Sequence, residues 1–346
     1  MNKIESDEKL DFKNVLIRPK RSTINSRAEV SLEREFTFKH NSHKWKGVPI
    51  ISANMDTTGT LDVYECLKDY NIITALHKFH TIRDFKLHEE KYGLLNPNLF
   101  MISTGIKPAD FDRLVYIMNN VECNWICIDI ANGYIDGFVK FCSRVRNKFP
   151  NKIIVAGNVV TREIVEELIL NGGVDIVKCG IGPGSACTTR IKTGVGMPQL
   201  SAVLECADAA HGVDGHIVSD GGITCPGDMA KAFGGGADFV MVGGLFAGHD
   251  ENPGEIIIEN EKKYKIFYGM SSDKAQEKHF GKMNSYRASE GRVVKIPYKG
   301  SIRTTIQDFL GGLRSTCSYI NAKTIKQMPK CTTFVKVSQQ VNTLFV

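Results

Sequence analysis

The sequence predicts an α/β fold, a closed (β/α)8 barrel with a C-terminal flap and a hairpin extension, and three observations predict it. Eight short apolar runs recur along 346 residues: "VPIISA" (48–53), "IITAL" (72–76), "LFMIS" (99–103), "WICIDI" (125–130), "KIIVA" (152–156), "DIVKC" (175–179), "HIVS" (216–219) and "DFVMV" (238–242). Each is rich in β-branched residues and nearly continuous in its apolar character, as strands buried on both faces of a parallel sheet must be. Helical patterns at 60–70, 108–119, 134–148, 161–171, 199–210 and 226–233 lie between them, and the strand starts are mostly 23–28 residues apart. That is the length of a strand plus its crossover helix. Finally, polar and glycine residues collect just after the runs, where barrels build their active sites. A doubly wound sheet is the runner-up, but it usually has fewer strands.

Taken in order, the runs end in "NMD" (54–56), "HK" (77–78), "TG" (104–105), "DIANG" (129–133), "GN" (157–158), "GIGPGSACTT" (180–189), "SDGG" (219–222) and "GG" (243–244). The interval from 175 to 216 is longer than the others, so an enlarged loop follows the sixth strand. The turns after the seventh and eighth strands occupy the usual phosphate position of such barrels. Beyond the eighth strand, "IIIENEKKYKIFYGMSS" reads as a hairpin returning to the rim, and 283–300 as a polar, mobile loop within a flap at about 280–300. A helix over 303–313, ended by "GG", closes the barrel. The expectation is one catalytic domain over 1–346 with no inserted regulatory domain.

The net charge is +6, with Lys and Arg spread along the chain and only short clusters such as "RPKR" at 18–21. Nucleic-acid binding needs a denser basic face, whereas a mild excess can still attract small phosphorylated molecules. No apolar run approaches membrane-spanning length, and "MNKIESDEKLDFKN" has no apolar signal region. The ten cysteines show no C-x-x-C spacing, which argues against a disulfide framework or a zinc site and for reduced thiols in the cytoplasm.

The stretch 180–190, "GIGPGSACTTR", holds the most pointed chemistry. It lacks the ending of a Walker loop and opens no dinucleotide fold. Its glycines let backbone groups point inward, and a thiol held among oriented N–H groups can act as a nucleophile. Cys187 is therefore either a nucleophile or a small buried residue. Thr189 needs a carboxylate partner if it is to relay protons, and its alternative is hydrogen bonding within the loop. Asp220, before Gly221 and Gly222, either binds ribose hydroxyls and phosphate or caps a helix. His77, Lys78 and Asp129 sit at strand ends, where ion pairing is the competing reading.

Together these motifs resemble the IMP dehydrogenase/GMP reductase family nearly end to end. The resemblance runs from "DFKNVLIRPKRS" through "ISANMDT", "DIANGY", "AGNVVT", "GIGPGSACTTRIKTGVGMPQLSA", "SDGGI", "KAFGGGADFVMVGG", "FYGMSS" and "YRASEG" to "GGLRSTCSY". It implies a barrel that is usually a tetramer, with Cys187 attacking purine C2 and Thr189 and Glu290 handling protons. It assigns the nucleotide, GMP or IMP, to Asp220, Gly221, Gly222, Gly243, Gly244, Gly269, Met270, Ser271, Arg287, Ala288, Ser289, Glu290 and Gly291. It assigns NADPH to Ser26, Arg27, Lys78, Asp129, Ile130, Ala131, Ile181, Gly182, Met270, Tyr286, Arg287, Ser315, Thr316, Cys317 and Ser318, some of them from a neighbouring subunit. A monovalent cation, K+, falls to Gly182, Gly184, Cys187 and Arg190. Met197, Ala186 and the "NGGVD" segment depart from the family pattern in ways that touch packing.

Two features favour the reductase branch. Only about two dozen residues separate Lys78 from the third strand, too few for the regulatory domains that dehydrogenases insert there. The flap reads "NSYRASEG", with Tyr before Arg, where dehydrogenases carry an Arg-Tyr pair that activates water. The resemblance thus implies NADPH-dependent reductive deamination of GMP to IMP and ammonia. The alternatives are an IMP dehydrogenase without regulatory domains, a flavin-binding phosphate barrel and an inactive nucleotide-binding protein.

Overall fold

Eight parallel strands close into a barrel in the computed structural model, which describes residues 4–281 and 288–338. In chain order they are Ile50–Ser52, Ile73–Leu76, Phe100–Thr104, Trp125–Asp129, Ile153–Val159, Ile176–Cys179, His216–Asp220 and Phe239–Val242, and the eighth pairs back onto the first through Val240 opposite Ile50. Every apolar run became a barrel strand. The reason is visible in their burial: all residues of the first, second, third, sixth and eighth strands are buried, so an alternating pattern would have wasted one face.

The helices Leu61–Leu67, Pro108–Asn120, Gly137–Lys148, Arg162–Leu170, Gln199–Gly212 and Pro226–Gly234 stand where the periodicity places them. A further helix, Ile82–Tyr92, supplies the crossover between the second and third strands. Its sequence "IRDFKLHEEKY" buries only Phe85 and His88, which is too thin an apolar stripe to show in the pattern.

The bottom of the barrel is plugged by a hairpin of Arg34–Thr37 and Lys44–Gly47. Phe36 stacks on Phe239 with ring centroids 4.3 Å apart, and Trp45 meets Trp125 edge-on at 5.8 Å. Two fully buried carboxylates tie this end together. Asp175 accepts from Arg146 at 2.5 Å and from the Ile154 amide, and Asp238 accepts from Arg34 at 2.7 Å and from the Ile217 amide. The plug and these ion pairs leave the opposite end free for chemistry.

The C-terminal region differs from the sequence expectation in two places. The hairpin forms, with Ile257–Glu259 pairing Lys262–Tyr268 across Asn260 and Glu261, both at positive φ as such tight turns demand. Part of the expected mobile loop, Val293–Pro297, is a third strand on that hairpin. The closing helix does not stop at "GG" but runs Ile302–Ile320. A Cβ on Gly312 would lie 2.5 Å from the Cβ of Pro226, so this glycine allows close helix packing and is no terminator. The first strand of the chain, Val15–Ile17, pairs with Phe334–Lys336 and fastens the two ends of the described chain.

Candidate active site

The loop after the sixth strand turns on glycine. Gly182 has φ +85°, and a Cβ there would lie 2.5 Å from Cγ of Arg190. The loop is held from outside by Arg190, which donates to Asp11 at 3.2 Å and to the Met197 carbonyl at 2.5 Å. The buried Gln199 amide donates to the carbonyls of Cys179 and Asp220, locking the ends of the sixth and seventh strands together. Cys187 is thereby presented at the barrel mouth, half-buried.

A continuous hydrogen-bonded chain leads away from it. The Cys187 thiol donates to Thr189 Oγ1 at 3.2 Å, and the Thr189 hydroxyl donates to Glu290 Oε2 at 2.7 Å. Glu290 stands 101 residues beyond Thr189, yet backbone pairing fixes the contact. The Thr188 amide donates to the Glu290 carbonyl at 2.8 Å, Arg292 N to the Ala186 carbonyl at 3.0 Å, and Cys187 bridges Gly291 in antiparallel fashion. The turns at Gly269 and Gly291 pass so close that a Cβ on Gly291 would sit 2.8 Å from the Ser272 amide nitrogen.

These groups line one cleft of about 1150 Å³, counted with its open mouth. Of the sequence-assigned residues, Cys187, Thr189, Glu290, Asp220, Gly221, Gly222, Gly243, Gly244, Gly269, Met270, Ser271 and Gly291 line it. Asp129, Ile130, Ala131, Ile181, Gly182 and Gly184 join them. Glycine at 244 leaves the backbone open to a ligand, and a Cβ there would lie 2.5 Å from Ser185 Oγ. Ser185 itself faces the cleft, which makes a cradle of amides and a hydroxyl suited to phosphate.

Other assigned residues lie elsewhere. Ala288 and Ser289 stand beside Glu290 without lining the cleft, and Ser289 Oγ donates to the Gly291 carbonyl. Lys78 lies at the rim, near Gly105. Ser26 caps the short helix Arg27–Glu29, which packs near the helix Ile302–Ile320 on the outside of the barrel. There Ser315, Thr316 and Ser318 return their hydroxyls to carbonyls of their own helix, and burial pushes the Cys317 thiol up to about 12. Tyr286 and Arg287 fall outside the described residues. All ten cysteines are free thiols.

The sequence reading missed Lys178 and Asn158 as site residues. Lys178 is 1% exposed and lines the cleft between Asp129 (2.7 Å) and Asp220 (2.9 Å). Burial works against its charge, but the two carboxylates hold its pKa well above the lysine range. Burial likewise works against the Asp129 carboxylate, and Lys178 overrides it, so that pKa lies below the usual value. The available signal was the lysine in "DIVKC", since a charge inside a buried strand must be paired. Asn158 donates to the Gly180 carbonyl and to Asp220, while its buried Oδ1 has no hydrogen-bond partner among the described residues. Among the described residues no three His, Cys, Asp or Glu side chains gather as metal ligands.

A model of the IMP dehydrogenase/GMP reductase domain matches residues 9–343. The chain is 55% identical to a protein named GMP reductase from Salmonella newport (strain SL254), over 99% of both chains. It is 56% identical to one of the same name from Yersinia pestis (strain Pestoides F), again over 99% of both.

Proposed function

The chain belongs to the IMP dehydrogenase/GMP reductase family, and from that premise we propose that it is a GMP reductase, converting GMP, NADPH and a proton to IMP, NADP+ and ammonia for purine interconversion. The thiol–hydroxyl–carboxylate chain Cys187–Thr189–Glu290 carries this reading. It supplies a nucleophile and a proton path to one carbon, which is what amine departure requires. The Cys187 thiol ionises, its proton going to solvent, and the thiolate adds to C2 of the purine. Glu290 passes a proton through the Thr189 hydroxyl to the exocyclic nitrogen, the C2–N bond breaks and ammonia leaves. A thioimidate between Cys187 and C2 remains, neutral because the thiolate charge and the delivered proton cancel. NADPH, when bound, supplies the hydride that C2 accepts. The C2–S bond then breaks, the electron pair returns to sulfur, and IMP is released.

Asp220 takes the ribose hydroxyls, and the turns at Gly221–Gly222 and Gly243–Gly244 the phosphate. The partnerless Asn158 Oδ1 supports a ligand with donors of its own at this wall. The nicotinamide end lies along Asp129, Ile130 and Ala131, which continue the same cleft. Ser26, Arg27 and the Ser315–Ser318 segment do not line it, so their role toward the cofactor requires a neighbouring copy, consistent with a homotetramer. Arg287 and Tyr286 lie outside the described residues, and their roles toward the nucleotide and the cofactor rest on the resemblance alone. The carbonyls of Gly182, Gly184, Cys187 and Arg190 suit K+, because neutral oxygen dipoles favour a large monovalent ion. Those of Gly184 and Arg190 each accept one amide at 3.0 and 3.1 Å and keep a second lone pair. The whole chain acts as one catalytic unit, and its free thiols suit the cytoplasm.

The direct test follows NADPH absorbance with GMP present and assays ammonia. Equimolar NADPH loss and ammonia release is the expected result. NADH formation from IMP and NAD+ with no GMP turnover would assign the dehydrogenase activity instead.

A further inference from the structure

The buried ammonium of Lys178 bridges two carboxylates that the proposed function assigns to different ligands. Its Nζ lies 2.7 Å from Asp129 at the end of the fourth strand and 2.9 Å from Asp220 at the end of the seventh. Room for it is made by Gly157, where a Cβ would lie 2.6 Å from Cβ of Lys178. Below the ammonium sits the sulfur of Met241, at 3.6 Å. Asn158 donates to the same Asp220 oxygen, Oδ2, at 2.9 Å. Lys178 itself is closed from solvent, but both partner carboxylates face the cleft.

A buried ion pair is weak support for a fold, since apolar replacements of similar volume are often neutral or stabilising. Core stability alone therefore does not account for a lysine at this position. Shared control of two ligand-facing carboxylates does. One cation between two anions leaves each carboxylate dependent on where the ammonium leans. A ligand that covers one carboxylate also expels water from the triad. The lowered dielectric strengthens the remaining charge pair and orders the second carboxylate for its own ligand.

We infer that Lys178 is a positioning residue that couples the nucleotide and cofactor subsites, holding Asp220 for the one and Asp129 for the other so that binding on either side tightens binding on the opposite side. This rests on the proposed function for the identity of the two ligands. The coupling is a property of binding and is reciprocal, so it is measurable without turnover.

GMP with NADP+ is a pair that cannot react, and calorimetric titration of GMP with and without saturating NADP+ reads the coupling. In the unsubstituted protein, NADP+ should tighten GMP by about fivefold or more, the lower range for linked sites. Lys178→Met should weaken GMP by roughly tenfold and bring the coupling to within about twofold of none, because two carboxylates then face each other without a cation. Lys178→Arg should restore a coupling above about threefold, which a mere space-filling role would not require. Asp129→Asn keeps the Lys178–Asp220 pair and should leave GMP affinity alone within about threefold while abolishing the coupling. That second variant decides the matter if Lys178→Met does not fold. Coupling that survives in Lys178→Met or in Asp129→Asn overturns the inference, as does its absence from the unsubstituted protein. Failure of the unsubstituted protein to bind GMP at all would remove the functional reading first, and this inference with it.

Discussion

Replacing Glu290 by glutamine changes one property of the site and leaves its shape. The carboxylate accepts the Thr189 hydroxyl at 2.7 Å, and a glutamine carbonyl can accept the same bond. The backbone contacts that place residue 290, from the Thr188 amide and around Gly291, do not involve its side chain. What is lost is a group that can carry a proton. A positioned acid or base contributes about 10²–10⁴ in rate, or roughly 2.7–5.4 kcal/mol of barrier. Ammonia release from GMP should therefore slow by that factor in Glu290→Gln. Hydride transfer to and from C2 needs no such group and should proceed at close to the unsubstituted rate. Rapid mixing of the variant with IMP and NADP+ should give a full NADPH burst, and later addition of ammonia should give GMP only slowly. A variant that loses the NADPH burst, or that gives the full burst and then forms GMP at the unsubstituted speed once ammonia is added, would refute this assignment of roles.

Cys187→Ser should bind GMP and turn over at most a trace, since a serine hydroxyl is scarcely ionised at neutral pH; residual turnover above about 1% by NADPH absorbance would remove the covalent step. Gly312→Ala forces a methyl to within 2.5 Å of Pro226 and should cost about 1–3 kcal/mol, seen as a lower Tm by thermal scanning, while an unchanged Tm would mean the helices part freely. The last prediction concerns pH. Burial opposes the Asp238 charge, but His211, His216 and Arg34 hold that carboxyl far below the carboxylate range, and the same pair raises the His216 imidazole above 6.5 in spite of burial. A raised histidine stabilises below its unfolded value near 6.5 and loses that contribution as pH rises through its folded one. Tm should therefore fall more between pH 6 and 9 in the unsubstituted protein than in Asp238→Asn, and parallel curves would refute the linkage.

The barrel was legible because its strands are buried on both faces. Continuous apolar runs such as "IITAL" leave few other folds open at this spacing. Where one face is wet, the signal thinned. The helix Ile82–Tyr92 offers only Phe85 and His88 to the core, and the four-residue plug strands bury only Phe36 in "REFT" and Trp45 and Gly47 in "KWKG". The closing helix was cut short by its glycines because each costs about 1 kcal/mol in local propensity. Contact of Gly312 with Pro226 outweighs that cost, and no local pattern reports a partner 86 positions away in sequence. The cysteine loop showed itself through its glycines. Lys178 did not, because a lysine inside an apolar run reads as strand until its two aspartates are seen at the ends of the fourth and seventh strands.

The same distinction explains why Glu290, the proposed proton carrier, could be named from resemblance but not from spacing. Glu290 lies far along the chain from Thr189, and nothing local orients it. Its position comes from three backbone facts: the strand Lys262–Tyr268 carries the chain back over the barrel mouth, Val293–Pro297 pairs with that strand, and the Gly269 and Gly291 turns close against each other. Residues 288–292 then run alongside 185–188 as a short paired ribbon, with Arg292 donating to the Ser185 carbonyl from its guanidinium and to the Ala186 carbonyl from its amide. The proposed nucleophile is thus mounted on the rigid barrel and the proposed acid on a segment tied to it by main-chain bonds. Side-chain identity decides what the relay can do, while main-chain pairing decides that it exists.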